Sequence, residues 1–159
     1  EKVVRRLLQR EEDLKEYYSS VLSAFELDDG HFLHKEDKSF FEKMMQIIDS
    51  HIQNTDLSVE LLSSSLGYST RQFYRKLKNV TEKTPADIIR EYRLTIVERL
   101  LLTTQLSIEE IMDKTGFSNR GTFYKAFAQK FEMTPKQYRN IKTKDVHDAS
   151  EEGGGTMNV

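Results

Sequence analysis

The chain spells one pattern twice. Ser58–Pro85 reads SVELLSSSLGYSTRQFYRKLKNVTEKTP, and Ser107–Pro135 reads SIEEIMDKTGFSNRGTFYKAFAQKFEMTP. Gly67-Tyr68-Ser69 aligns with Gly116-Phe117-Ser118, Phe73-Tyr74 with Phe123-Tyr124, and Thr84-Pro85 with Thr134-Pro135. The offset grows from 49 to 50 along the way, which places one extra residue near Gly121. Self-similarity at this period marks a duplicated supersecondary unit. Each copy carries a short amphipathic helix, a glycine turn and a second helix. The pattern therefore predicts an all-α chain of two helix-turn-helix subdomains joined by a long linker helix, with an N-terminal connector helix before them.

Charge is distributed to match. The chain has a formal net charge of −2, but residues 1–68 hold 8 Lys/Arg against 14 Asp/Glu, residues 69–142 hold 15 against 8, and residues 143–159 hold 1 against 4. A basic block between acidic flanks is the electrostatic footprint of a nucleic-acid binder. There is no Cys, which removes disulfides and thiolate metal sites and suits a reducing cytoplasm. The first residues are charged at once, so no signal peptide is predicted. The longest apolar runs, such as Leu100-Leu101-Leu102, are far too short to span a membrane.

Residues 1–36 are expected to form a connector helix and hinge. Val4, Leu7, Leu14, Tyr18, Val21 and Phe25 recur at spacings of three and four, with Glu11 in the one missing seat. Such a stripe either packs on its own chain, the favoured use, or zips to a second copy as a homodimer through residues 1–26. Asp28-Asp29-Gly30 breaks the helix.

Residues 37–142 are expected to form the double reader, divided at 37–84, 85–104 and 105–142. Phe40, Phe41, Met44, Met45, Ile47, Ile48 and Ile52 give an amphipathic helix. Ser58 is spaced as an N-cap for a helix burying Leu61, Leu62 and Leu66. Gly67 suits a positive φ past that helix, and Ser69 or Thr70 caps the next, which buries Phe73 and Leu77 to about Val80. Pro85 fits the first turn of the linker helix, which should be stiff. In the second copy Ser107 caps, Gly116 turns and Ser118 starts the recognition helix, with Phe123, Phe127 and Phe131 inward. Pro135 opens a last helix to about Ile141. Residues 143–159 carry too little apolar surface to offset ordering and are expected to be a disordered tail.

With the inward faces fixed, helical period gives the outward ones. Arg71, Tyr74, Arg75 and Lys78 face out of the first reader. Asn119, Arg120, Thr122, Tyr124 and Lys125 face out of the second, and Gly121 leaves a gap there. Arginine grips guanine bidentately and asparagine pairs with adenine. Base readout therefore falls to Arg71, Arg75, Asn119 and Arg120, with Arg75 and Arg120 foremost. Phosphate contacts fall to Lys78, Lys125 and the hydroxyls of Ser69 and Ser118.

These residues carry a family resemblance. From about Phe40 to Ile141, some 100 of 159 residues, the chain resembles the DNA-binding domain of the AraC/XylS family of bacterial transcription regulators. The resemblance rests on Gly67-Tyr68-Ser69, Phe73-Tyr74-Arg75-Lys76-Leu77-Lys78, Tyr92-Arg93-Leu94, Gly116-Phe117-Ser118, Phe123-Tyr124-Lys125-Ala126-Phe127 and Met133-Thr134-Pro135-Lys136-Gln137-Tyr138-Arg139. It implies seven helices, with two recognition helices set into successive major grooves of double-stranded DNA. It also implies control of transcription through contact with RNA polymerase or placement of a partner domain. The chain departs from the family's pattern at Glu82 and Glu132, which replace a usual Gly and would be strained if held left-handed. Ser63, Met112 and Val97 stand where Ala is usual, and Met112 must find room at a close helix crossing. Residues 1–36 resemble the connector that follows a receiver domain in response regulators, including hybrid two-component sensors of gut Bacteroidetes. The resemblance thus implies an upstream receiver or sensor domain.

An enzyme reading has little support in the sequence. His31 and His34 lie near Asp28, Asp29, Glu36 and Asp37, but their spacing matches no zinc pattern and a solvated hinge is expected. No nucleophile elbow, phosphate-cradling glycine loop or zincin motif is present, and no cofactor is predicted. The rival from another class is a helical protein-interaction module whose basic block is incidental. Salt dependence separates the two, since only a DNA binder must release condensed counterions.

Overall fold

The computed structural model describes the backbone of residues 2–29 and 33–152 and the side chains of residues 10–27 and 33–145. Eight α-helices and no strand occur among the described residues: α1 (Lys2–Asp29), α2 (Lys35–Ser50), α3 (Val59–Ser65), α4 (Thr70–Lys78), α5 (Pro85–Thr103), α6 (Ile108–Thr115), α7 (Arg120–Phe131) and α8 (Pro135–Glu152). The chain divides into two compact units, Glu1–Thr95 and Ile96–Val159, with α5 continuous through the division.

In the first unit the inward faces of α2, α3 and α4 meet. Phe40, Phe41, Met44, Met45 and Ile48 are buried with Leu62, Phe73, Leu77, Ile88 and Tyr92. Phe40 meets Phe73 and Tyr68 edge-on, each at 5.7 Å between centroids. α1 adds a further layer. It buries Leu14, Tyr17, Val21 and Leu22, and the Tyr17 ring stacks on Tyr92 at 5.5 Å. Arg10 donates through Nε to Asp49 Oδ1 at 2.9 Å and through Nη2 to the Asp49 carbonyl at 2.8 Å. Tyr92 Oη donates to the same Oδ1 at 2.6 Å. The described part of the connector therefore packs on its own chain. The seat expected for Tyr18 is taken by Tyr17, because only the latter reaches the Tyr92 ring while donating to Glu91 Oε2 at 3.0 Å. The side chains of Val4 and Leu7 lie outside the described residues.

In the second unit Val97, Leu101, Ile111, Met112, Phe123, Phe127 and Tyr138 are buried. Met112 fits with 8% of its surface exposed, so the larger side chain is accommodated at that position.

Helix ends follow local chemistry. Ser58 and Ser107 accept from Leu61 N–H at 3.2 Å and Glu110 N–H at 3.1 Å. Gly67 and Gly116 are left-handed, at φ 79° and 78°. Tyr68 N–H returns to the Ser63 carbonyl and Phe117 N–H to the Met112 carbonyl, a closure that needs the positive φ glycine supplies. The two Thr-Pro steps open α5 and α8. Thr134 Oγ1 accepts from Gln137 N–H while Gln137 Oε1 accepts from Thr134 N–H.

The copies diverge after their recognition helices. Glu132 is left-handed at φ 60°, as its glycine-like position predicts, but Glu82 is not. α4 stops at Lys78, and Val80 and Thr81 turn inward to be 0% and 4% exposed. Two adjacent β-branched residues are poor helix formers, so the helix ends a turn sooner and the strained position disappears. α8 runs to Glu152, past the end near Ile141 that the sequence suggests, with no Gly or Pro before Gly153 to stop it. Residues 153–159 lie outside the described residues.

Candidate nucleic-acid interface

The first reader is built on α4. Ser69 is its N-cap, resolving the choice between Ser69 and Thr70. Its Oγ accepts from Gln72 N–H at 3.2 Å, and Gln72 Oε1 accepts from Ser69 N–H at 3.0 Å. The Ser69 hydroxyl also donates to Gln72 Oε1 at 3.2 Å, so the proton a phosphate would take is already engaged within the capping box. Phe73 and Leu77 are buried, and Arg71, Tyr74, Arg75 and Lys78 are exposed on the other face. Tyr74 is 46% exposed with its ring edge-on to Phe73. Lys76 points elsewhere, with its ammonium over the rings of Tyr68 and Phe40 at 5.2 and 5.8 Å. That cation braces the turn.

The second reader is built on α7, and its cap is Asn119. Asn119 Oδ1 accepts from Thr122 N–H at 2.9 Å. Asn119 therefore matches Ser69, and the extra residue falls in the turn at Ser118, ahead of the helix and not near Gly121. Ser118 is exposed in that turn and does not cap the helix. Arg120 becomes the counterpart of Thr70, Gly121 of Arg71, Tyr124 of Tyr74 and Lys125 of Arg75. A Cβ on Gly121 would meet Asn119 Oδ1 at 3.3 Å, so the missing side chain leaves room for the cap. Thr122 and Lys125 are exposed, Tyr124 is half-buried and Phe123 and Phe127 are buried.

Arg120 does not stand free. Its Nη1 donates to Glu109 Oε1 at 2.5 Å, Nη2 donates to Tyr124 Oη at 3.3 Å, and Cζ lies 5.2 Å from the Tyr124 ring centroid. The Glu109 backbone amide, then the Arg120 guanidinium, hold the Glu109 carboxyl below its ordinary range. The Glu109 hydrogen bond in turn raises the Arg120 pKa. Glu109 escapes a sequence reading because it lies eleven residues before Arg120 on another helix, beyond any local period. The Ser69–Gln72 capping box was visible as a serine followed three residues later by glutamine.

Two arginines of the motif stretches, Arg93 and Arg139, serve the scaffold. Arg93 Nη2 donates to the Asn54 carbonyl at 2.8 Å. Arg139 donates to the Leu101 carbonyl at 3.0 Å and the Leu106 carbonyl at 2.8 Å. Each satisfies carbonyls at a helix end or turn. Among the described residues no group of His, Cys, Asp and Glu is arranged to hold a metal ion, and no helix is long and apolar enough to cross a membrane. His31 lies outside the described residues.

This geometry coincides with known proteins. A family model described as a helix-turn-helix domain matches residues 62–141. The chain is 34% identical over 104 residues to histidine kinase P4 of Formosa agariphila, which covers 65% of this chain but only 8% of the kinase. It is 30% identical over 103 residues to the regulatory protein SoxS of Escherichia coli strain K12, covering 65% of this chain and 95% of SoxS. Among solved structures, the C-terminal domain of AraT, a response regulator from Geobacillus stearothermophilus, superposes with a TM-score of 0.60 at 26% identity. That match covers 64% of this chain and 84% of the AraT domain.

Proposed function

Because the chain belongs to the AraC/XylS-type helix-turn-helix family of transcription regulators, we propose that it reads a specific promoter sequence with α4 and α7, each set into the major groove by its N-terminal end. The observation that carries this reading is the α4 surface. Arg71, Arg75 and Lys78 share an exposed face directly opposite buried Phe73 and Leu77. A capped helix with one face locked in a core presents the other in a fixed orientation, which groove reading requires.

Arg71, Arg75 and Arg120 take base edges, and Lys78 and Lys125 take phosphates. Asn119 and Ser69 act first as caps, and Thr122, Tyr124, Tyr74 and Ser118 line the approach. The two readers occupy successive major grooves of one duplex, on a division of the chain at 1–36, 37–142 and 143–159. The reading assigns no reaction to this chain. It adds contact with RNA polymerase, a cytoplasmic location, and a receiver or sensor domain ahead of α1. Since the described stripe of α1 is buried against its own unit, self-association would have to use another face.

The test is enrichment of bound duplexes from a random pool, followed by salt titration of the selected sequence. Log affinity should fall linearly with log salt, with a slope of about −0.9 for each phosphate neutralised. Arg75→Ala should lose about 1–3 kcal/mol on the selected duplex and relax choice at one base step. Lys125→Ala should weaken every sequence alike. No enrichment, with a salt-independent response to a peptide partner, would favour an interaction module instead.

A further inference from the structure

The two copies differ in how one cation is held. The carboxylate position of α6 is duplicated, since Glu109 corresponds to Glu60 at the first offset. The cation opposite it is not duplicated, because Arg120 corresponds to Thr70. Arg120 stands at the first helical position of α7, as Thr70 does in α4, and there it meets Glu109. Both side chains of that pair are 63% exposed, at the N-terminal end of α7, the end that the proposed groove reading presents to DNA.

We propose that Glu109 is a specificity-determining residue that competes with DNA phosphates for Arg120. This rests on the DNA-reading function proposed above. Arg120 has five N–H donors; one on Nη1 is held by Glu109 and one on Nη2 by the Tyr124 hydroxyl. A duplex approaching α7 brings phosphates toward a carboxylate that repels them and toward a cation already neutralised. Non-specific binding, which is almost wholly electrostatic, is therefore weakened. A base edge that accepts the guanidinium bidentately offers geometry a lone phosphate lacks, so it displaces Glu109 more readily. The first reader, with Thr70 at the equivalent position, has no such gate. Its exposed cations Arg71, Arg75 and Lys78 meet the duplex with no carboxylate of that kind paired to the first helical position.

The test uses the whole chain, a duplex selected from a random pool, and a scrambled duplex of equal length. Glu109→Gln should tighten binding to the scrambled duplex severalfold and steepen its salt slope by about 0.9, the value of one more neutralised phosphate. The ratio of selected to scrambled affinity should fall severalfold. Glu110→Gln, which removes a neighbouring exposed carboxylate from the same helix, should move the slope and the ratio much less. In an Arg120→Ala background, Glu109→Gln should change both far less, because only the direct repulsion of phosphates by the carboxylate is then left to remove. An unchanged slope and ratio in Glu109→Gln overturns the inference, as does an equal effect of Glu110→Gln or an undiminished effect without Arg120. If the unaltered chain binds neither duplex in a salt-dependent manner, the DNA reading itself is overturned, which is a separate outcome.

Discussion

Asn119→Ala and Ser118→Ala form a pair whose outcomes should differ sharply. Asn119 Oδ1 accepts the Thr122 N–H at 2.9 Å, one of the four amide donors that the start of α7 leaves without a helical partner. Alanine cannot accept it, and such losses cost about 1 kcal/mol, within a range of about 0.5–2. The site is exposed, so water recovers part of the bond and the lower half of that range applies. In a unit the size of residues 96–159, about 1 kcal/mol corresponds to a fall in melting temperature of roughly 4–8 °C. Ser118→Ala, one residue earlier and outside the cap, should stay within about 0.5 kcal/mol of the parent. Urea unfolding gives both numbers, and amide exchange at Thr122 should quicken only in the Asn119 variant. Asn119→Ser should restore most of the loss, since serine performs the same function at position 69. Equal losses for the two alanine variants, or a larger one at Ser118, would refute the placement of the extra residue in the turn and the matching of the two readers built on it.

Three further outcomes follow from the same geometry. Glu132→Gly should stabilise by up to about 1 kcal/mol by relieving a left-handed residue. Glu82→Gly should instead destabilise by about 0.5–1 kcal/mol through chain entropy alone, and opposite signs in urea unfolding are the check. Burial first, then the hydrogen bond to Glu98, pushes the Tyr138 hydroxyl up to about 12. Because the folded pKa is raised, that contribution is complete below about pH 10 and is lost as pH rises toward 12. The Tyr138→Phe variant should lose less stability than the parent across that window in paired unfolding curves. Tyr92→Phe removes the 2.6 Å bond to Asp49 and should cost about 1–2 kcal/mol, with faster amide exchange along α1. Unchanged exchange would mean that α1 is held without this network.

Much of the architecture was legible because it is governed by neighbours a few residues apart. The duplicated pattern foretold two like units. The three-and-four spacing of Phe73 and Leu77, and of Phe123 and Phe127, fixed which faces turn inward, and hence that Arg71, Arg75, Lys78 and Lys125 turn outward. Ser58 and Ser107 were readable as caps, and Gly67 and Gly116 as left-handed turns, since each bond they make closes within five residues.

What the linear order left open were choices between adjacent residues and partnerships between distant ones. Serine and asparagine cap equally well, so Ser118 and Asn119 could be told apart only by where Phe123 had to land in its core. Tyr17 displaced Tyr18 because the Tyr92 ring waits on α5, more than seventy residues on. Val80 and Thr81 turned inward and spared Glu82 a left-handed backbone that Glu132 still adopts. Arg120 met Glu109 only once α6 and α7 were folded together. Local chemistry thus set the helices, their ends and their inward faces from the sequence alone. Packing set the register between them, because burial and charge pairing depend on which surfaces meet in space.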